Sequence, residues 1–208
     1  MKYTTEQLNA ARLESGDIGA TKGNFPMGNL QRAIFTPSTD RYHFFLVLDR
    51  DTANRLCEFL HLPLIEGSWG CVESIGKGIT ISELTNYAGT DLKFYRVNCD
   101  ASIRHQAPVK LAGYTRSGYD YKLFLKLLVR IIALEWRSLL TNHYLRKLRA
   151  AEMPCDDDSE FICTEGVDEG YDDAGFHLIP VKILGIPSAF REAEIAGRMT
   201  EINPLPFE

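Results

Sequence analysis

The sequence predicts an α+β protein: a mixed or antiparallel sheet of about five or six strands packed against one long central helix. Three observations carry that prediction. Short apolar runs bounded by turn residues recur through the first half of the chain, at 42–48, 67–75, 78–84 and 91–99, as strands do. Residues 119–151 contain no Gly or Pro and are largely apolar with one charged seam, which fits a single long helix. The 208 residues are 45% hydrophobic and 25% charged, the balance of one folded domain over 1–208 rather than of a disordered chain.

In chain order, Thr5 to Glu14 predicts a short amphipathic helix with Leu8 and Ala11 on one side. The four glycines and one proline of "SGDIGATKGNFPMGN" predict a mobile Gly-rich loop over 15–29, and "LQRAIF" a short strand after it. Tyr42 to Leu48 is an apolar run suited to a buried strand. A helix over Thr52 to Leu62 follows, with Asp49 or Asp51 as its cap and Pro63 as its stop.

"GSWGCVESI" and "GITISEL" predict two strands joined at "GKG", and "DLKFYRVNC" a further strand. "ASIRHQAPVKLAGYTRSG" reads as loop with a short strand at Val109 to Ala112. After the 119–151 helix, "FHLIPVKILGI" predicts a late strand with Pro180 at an edge or bulge. "PSAFREAEIAGRM" predicts a closing helix with Pro187 at its start and Gly197 near its end.

The N-terminal segment is too polar for a secretory signal, and charged residues interrupt the longest apolar run before it could span a bilayer. The five cysteines are odd in number and form no C-x-x-C pair, which points to reduced thiols. Together these features predict a soluble, cytoplasmic protein with no membrane partner, and nothing in the sequence sets an oligomeric state.

Charge is distributed unevenly. Of 28 acidic residues, ten lie in an acidic segment at 151–175 that has no Lys or Arg, leaving 18 acidic against 23 basic residues elsewhere, a net of +5. The segment also carries Phe161, Ile162, Val167 and Tyr171, more apolar side chains than a purely solvating run contains. The leading functional expectation is therefore a non-catalytic binding protein, an inhibitor or immunity-like factor without a cofactor. It would dock an acidic surface of Asp156, Asp157, Asp158, Glu160, Asp168, Glu169, Asp172 and Asp173 on a protein with a basic surface.

Two alternatives use other residues. Asp49 and Asp51, one residue apart where a strand ends, could hold Mg²⁺ in a phosphoester hydrolase or nuclease, with Asp172 or Asp173 completing the site. Lys122, Lys126, Arg130 and Arg137 fall on one side of the 119–151 helix and could track nucleic-acid phosphates. Nucleic acid ranks below a basic protein as partner because the whole chain is acidic. Cys57 and His61 share a helical face, but zinc needs two more ligands, for which Cys71 with His105 or Cys99 are the nearest suggestions. "ESIGKGIT" fails as a P-loop and "EGSWG" as a nucleophile elbow, each lacking a required glycine.

Overall fold

The computed structural model describes residues 1–22, 41, 43–75, 78–115, 163–179 and 187–205. Six strands form one sheet: β1 (Ile18–Thr21), β2 (His43–Asp49), β3 (Trp69–Ile75), β4 (Gly78–Glu83), β5 (Leu92–Val97) and β6 (Met199–Ile202). Their order is β4-β3-β2-β1-β5-β6, and every adjacent pair is antiparallel. The described helices are α1 (Thr5–Asn9), α2 (Arg50–Leu60), α3 (Ala101–Ala112), α4 (Cys163–Asp173) and α5 (Pro187–Ile195), with a 3-10 turn at Leu84–Tyr87. The α+β class and the six-stranded antiparallel sheet are thus as the sequence predicts. No helix among the described residues is long and apolar enough to cross a membrane.

The apolar run of β2 is explained by burial on both faces of the sheet. Phe44, Leu46 and Leu48 join a cluster with Leu111 of α3, Val167 and Tyr171 of α4 and Phe190 of α5. Phe45 and Val47 join a second cluster with Tyr3, Leu8 and Leu84. Alternate strand residues point to opposite faces, so a strand covered twice must be apolar throughout.

One long central helix is not what covers the sheet in the described residues. The predicted helix at 119–151 lies outside them, and the layer is built by α3 and α4, of 12 and 11 residues. Their packing depends on a small residue: a Cβ on Gly170 would stand 2.9 Å from the Ala107 carbonyl oxygen and 3.1 Å from Leu111 Cβ. Close backbone approach of this kind leaves no long apolar run in the sequence.

Three local expectations are also corrected. Ala101–Ala112 is helical, not loop with a strand at Val109. Ile103, Ala107 and Leu111 recur at the helical interval, and Pro108 is tolerated although it cannot donate to the Arg104 carbonyl. Gly16 occupies the space beside that carbonyl, at φ +93°, where a Cβ would lie 2.1 Å from Arg104 O. Within the stretch assigned to a Gly-rich loop at 15–29, Ile18–Thr21 instead forms β1, buried at all four positions between β2 and β5. Gly19 is needed there because the Phe45 ring lies where its side chain would be. Phe176–Ile179 is irregular rather than strand; the rest of that predicted strand, like "LQRAIF", lies outside the described residues.

Two polar sets lock these elements together. Asp17, fully buried, accepts from Arg96 Nε at 2.9 Å and Nη2 at 2.8 Å, while Glu14 accepts from Arg96 and Arg104 at 2.7 and 2.8 Å. This fork geometry is what makes a buried arginine–carboxylate pair tolerable. Farther along, Asp168 of α4 accepts the Ile179 amide at 3.1 Å, anchoring the segment that leaves the helix. Burial first, then Asp172 and Glu169, push the Asp168 carboxyl up to about 7, against the opposing effects of the Ile179 bond and His177.

Gly16→Ala should lower stability by roughly 2–5 kcal/mol, the sum of left-handed strain and overpacking. Gly89→Ala, at φ +77° with nothing within 4 Å of its Cβ, should cost only about 1–2 kcal/mol; denaturant titration of the two variants checks the difference. Asp168 retains its proton in the folded state to a higher pH than in the unfolded chain. Its contribution therefore falls as pH rises from near 4 to about 7. Asp168→Asn, which still accepts from Ile179, should raise Tm at pH 8 and leave it nearly unchanged at pH 4.

Candidate functional site

The two aspartates that end β2 have different surroundings. Asp49 is the N-cap of α2: Oδ1 accepts from the Thr52 amide at 3.0 Å, and Oδ2 accepts from Ser15 Oγ at 2.7 Å. Burial raises its carboxyl, but these bonds outweigh that and hold it below the usual range. Asp51 is exposed in the first turn of α2. His61 takes the left-handed C-cap position of that helix, at φ 56°, and is exposed while Cys57 is buried, so the suggested pair does not share an environment. Among the described residues, no group of three or more His, Cys, Asp or Glu side chains is arranged to hold a metal.

The acidic segment is divided. Asp156, Asp157, Asp158 and Glu160 lie outside the described residues, as do Lys122, Lys126, Arg130 and Arg137. Asp168, Glu169, Asp172 and Asp173 belong to α4, whose other side buries Cys163, Val167, Gly170 and Tyr171. Asp172 pairs with His177, and Asp173 accepts from the Tyr114 hydroxyl at 2.9 Å.

What the fold brings together instead is a thiol, an imidazole and a carboxylate. Cys163 lies in α4 and is buried. It lies close enough to His43, at the start of the described part of β2, to raise that imidazole's affinity for a proton. His43 Nε2 is 2.8 Å from Oε2 of Glu73, which stands on the neighbouring strand β3 opposite Phe45. Tyr87, closing the 3-10 turn after β4, places its hydroxyl 2.8 Å from the same Nε2 and donates to Glu73 Oε2. The other carboxylate oxygen accepts from Ser82 Oγ, with the Cys71 thiol nearby at 3.9 Å.

Electrostatics in this set follow from its enclosure. The side chains of His43 and Glu73 are only 18% and 6% exposed. Burial alone would lower the imidazole's affinity for a proton, but the hydrogen bonds and charges of Cys163 and Glu73 overcome it and raise His43 to about 10. Burial likewise works against the Glu73 carboxylate, and its bonds to His43, Ser82 and Tyr87 hold it ionised. Burial, with Glu73 alongside, pushes the Tyr87 phenol far above its ordinary range, so it remains a proton donor. Carboxylate and thiol thus both act on the one imidazole.

Sequence reasoning missed this set. His43 opened the most conspicuous strand and Cys163 lay inside the acidic segment, yet no spacing ties them together. The available signal was a cysteine in "ICTEGVDEG", with Gly166 and Gly170 four apart to admit a close neighbour. Four other cysteines diluted it.

No family model matches the chain, and no curated protein matches it. Among solved structures it is similar to a crystal structure from Escherichia coli O157:H7 described as metalloprotein yiiX, DUF1105. The TM-score is 0.51 at 14% sequence identity, over 94% of this chain and 99% of that one. A likeness at this identity concerns the fold alone.

Proposed function

We propose that this protein is a cysteine-dependent acyl-transfer enzyme, a hydrolase or transferase acting on an amide, ester or thioester carbonyl. The observation that supports this reading is the buried His43–Glu73 hydrogen bond, with the buried Cys163 thiol acting on the same imidazole. Nucleophile, base and orienting group in that order are the arrangement by which a weak nucleophile is activated.

In this reading Cys163 Sγ attacks the carbonyl carbon and forms a thioester with the acyl group. His43 gives its proton to the leaving group, then takes one from the water or acceptor that attacks the thioester, which restores the thiol site. Glu73 keeps the ring oriented through Nε2 and balances the imidazolium charge. Asp49 has its own structural task at the α2 cap, and no step is assigned to it. A docking role for the acidic segment concerns other residues and stays a separate proposal.

The test is acyl turnover with p-nitrophenyl acetate together with alkylation by iodoacetamide, mapped by mass spectrometry. A burst of nitrophenol with Cys163 carrying the acyl group is expected, abolished in Cys163→Ala and slowed roughly 10²- to 10⁴-fold in His43→Ala. Alkylation of Cys163 no faster at pH 6 than that of glutathione, together with no acylation, would contradict the reading.

A further inference from the structure

We infer that Tyr87 is a positioning residue of this site, holding the His43 ring and the Glu73 carboxylate in the one relative orientation that presents the imidazole to Cys163. The inference rests on the acyl-transfer reading and adds a fourth member to it.

The geometry gives Tyr87 two separate handles. Its hydroxyl is 2.8 Å from His43 Nε2 and donates to Glu73 Oε2, the oxygen that also faces Nε2. The three atoms form a closed triangle: the phenol fixes the carboxylate, and both oxygens define where the Nε2 proton points. Its ring is the second handle. The Tyr87 ring stacks on Phe45 with centroids 4.7 Å apart and planes 18° apart, and lies 6.0 Å from the His43 ring at 26°. Phe45 is fully buried in the sheet, so the wall that limits rotation of the imidazole is itself fixed.

The role has a physical need behind it. A carboxylate side chain alone can meet an imidazole in several orientations, and a ring flip would put Cε1 in place of Nε2 and Cδ2 in place of Nδ1. With Nε2 held by two oxygens, Nδ1 is the nitrogen left for the thiol. Tyr87 stands at the end of the turn Leu84–Tyr87, whose Leu84 is buried in the core, so its placement is set by the fold rather than by substrate. Position within a few tenths of an ångström decides proton-transfer efficiency, and groups that hold a reacting group contribute without touching substrate.

Tyr87→Phe separates the handles, because it keeps the aromatic wall and removes the hydroxyl. The variant and the intact protein are compared by the pH profile of Cys163 alkylation with iodoacetamide from pH 5 to 9, and by ¹⁵N resonances of the His43 ring. Tyr114→Phe, which removes a hydroxyl bonded to Asp173, is the control. The expected result is alkylation in Tyr87→Phe slowed about 10- to 100-fold near pH 6, a displaced pH profile and shifted ¹⁵N resonances of the His43 ring, with Tyr114→Phe unchanged. Overlapping profiles and identical ring resonances in Tyr87→Phe and the intact protein overturn the inference while leaving the relay intact. An intact protein whose Cys163 reacts no faster than glutathione overturns the relay itself, and the role of Tyr87 with it. Should Tyr87→Phe not fold, the intact protein decides: a slowly exchanging Tyr87 hydroxyl proton with cross-peaks to the His43 ring supports the placement, and its absence refutes it.

Discussion

Glu73 is a carboxylate inside a β-sheet, and the candidate site is organised around keeping it ionised there. A buried carboxylate without partners takes up a proton, because desolvation penalises the charge more than any other state. Here each oxygen is occupied: His43 and Tyr87 face one, Ser82 and the more distant Cys71 thiol the other. Remove one donor and the balance shifts for the rest, since the carboxylate's charge is also what favours the His43 imidazolium. The network is therefore one unit, with a strand end, a neighbouring strand and a 3-10 turn each contributing a member.

The position of the thiol depends on a different constraint, the close approach of backbones. Gly16 and Gly170 are two points where a side chain would strike the backbone of α3, one at Arg104 O and the other at Ala107 O. The Tyr171 hydroxyl of α4 donates to the Gly16 carbonyl, and the Gly16 amide donates to Val47 O of β2. So α4 is tied through Gly16 to the strand that carries His43. A small change in helix–sheet distance would move Cys163 relative to the imidazole, which makes these glycines part of the site's geometry though they are remote from its chemistry.

Charge in the acidic segment also acquires a structural meaning in its described part. Asp168 anchors Ile179, Asp172 meets His177 and Asp173 meets Tyr114. These carboxylates hold α4 and the segment leaving it against neighbouring elements. The apolar residues among them, Val167 and Tyr171, are core residues. Their presence in so acidic a stretch, unexpected for a solvating run, is the ordinary consequence of an amphipathic helix with one face on a sheet.

Much of the fold was legible locally. The strands β2 to β5 announce themselves by apolar runs between turn residues, Asp49 by its place before a helix, and α5 by Pro187 and Gly197 at its two ends, because these signals arise from neighbours a few positions away. Elements whose signal is small residues were not: β1, with Gly19 shaped by the Phe45 ring, and α3, whose Pro108 reads as a helix breaker though the helix runs through it. The relay lay further from sight. His43 and Cys163 are 120 positions apart in the chain, and Glu73 reaches His43 only because β3 pairs beside β2 in one register. Sequence alone determined which segments prefer to be strands or helix ends, since those preferences are local. Only the tertiary structure decided that a thiol, an imidazole, a carboxylate and a phenol would meet, because strand order and helix docking are set by burial of the whole core.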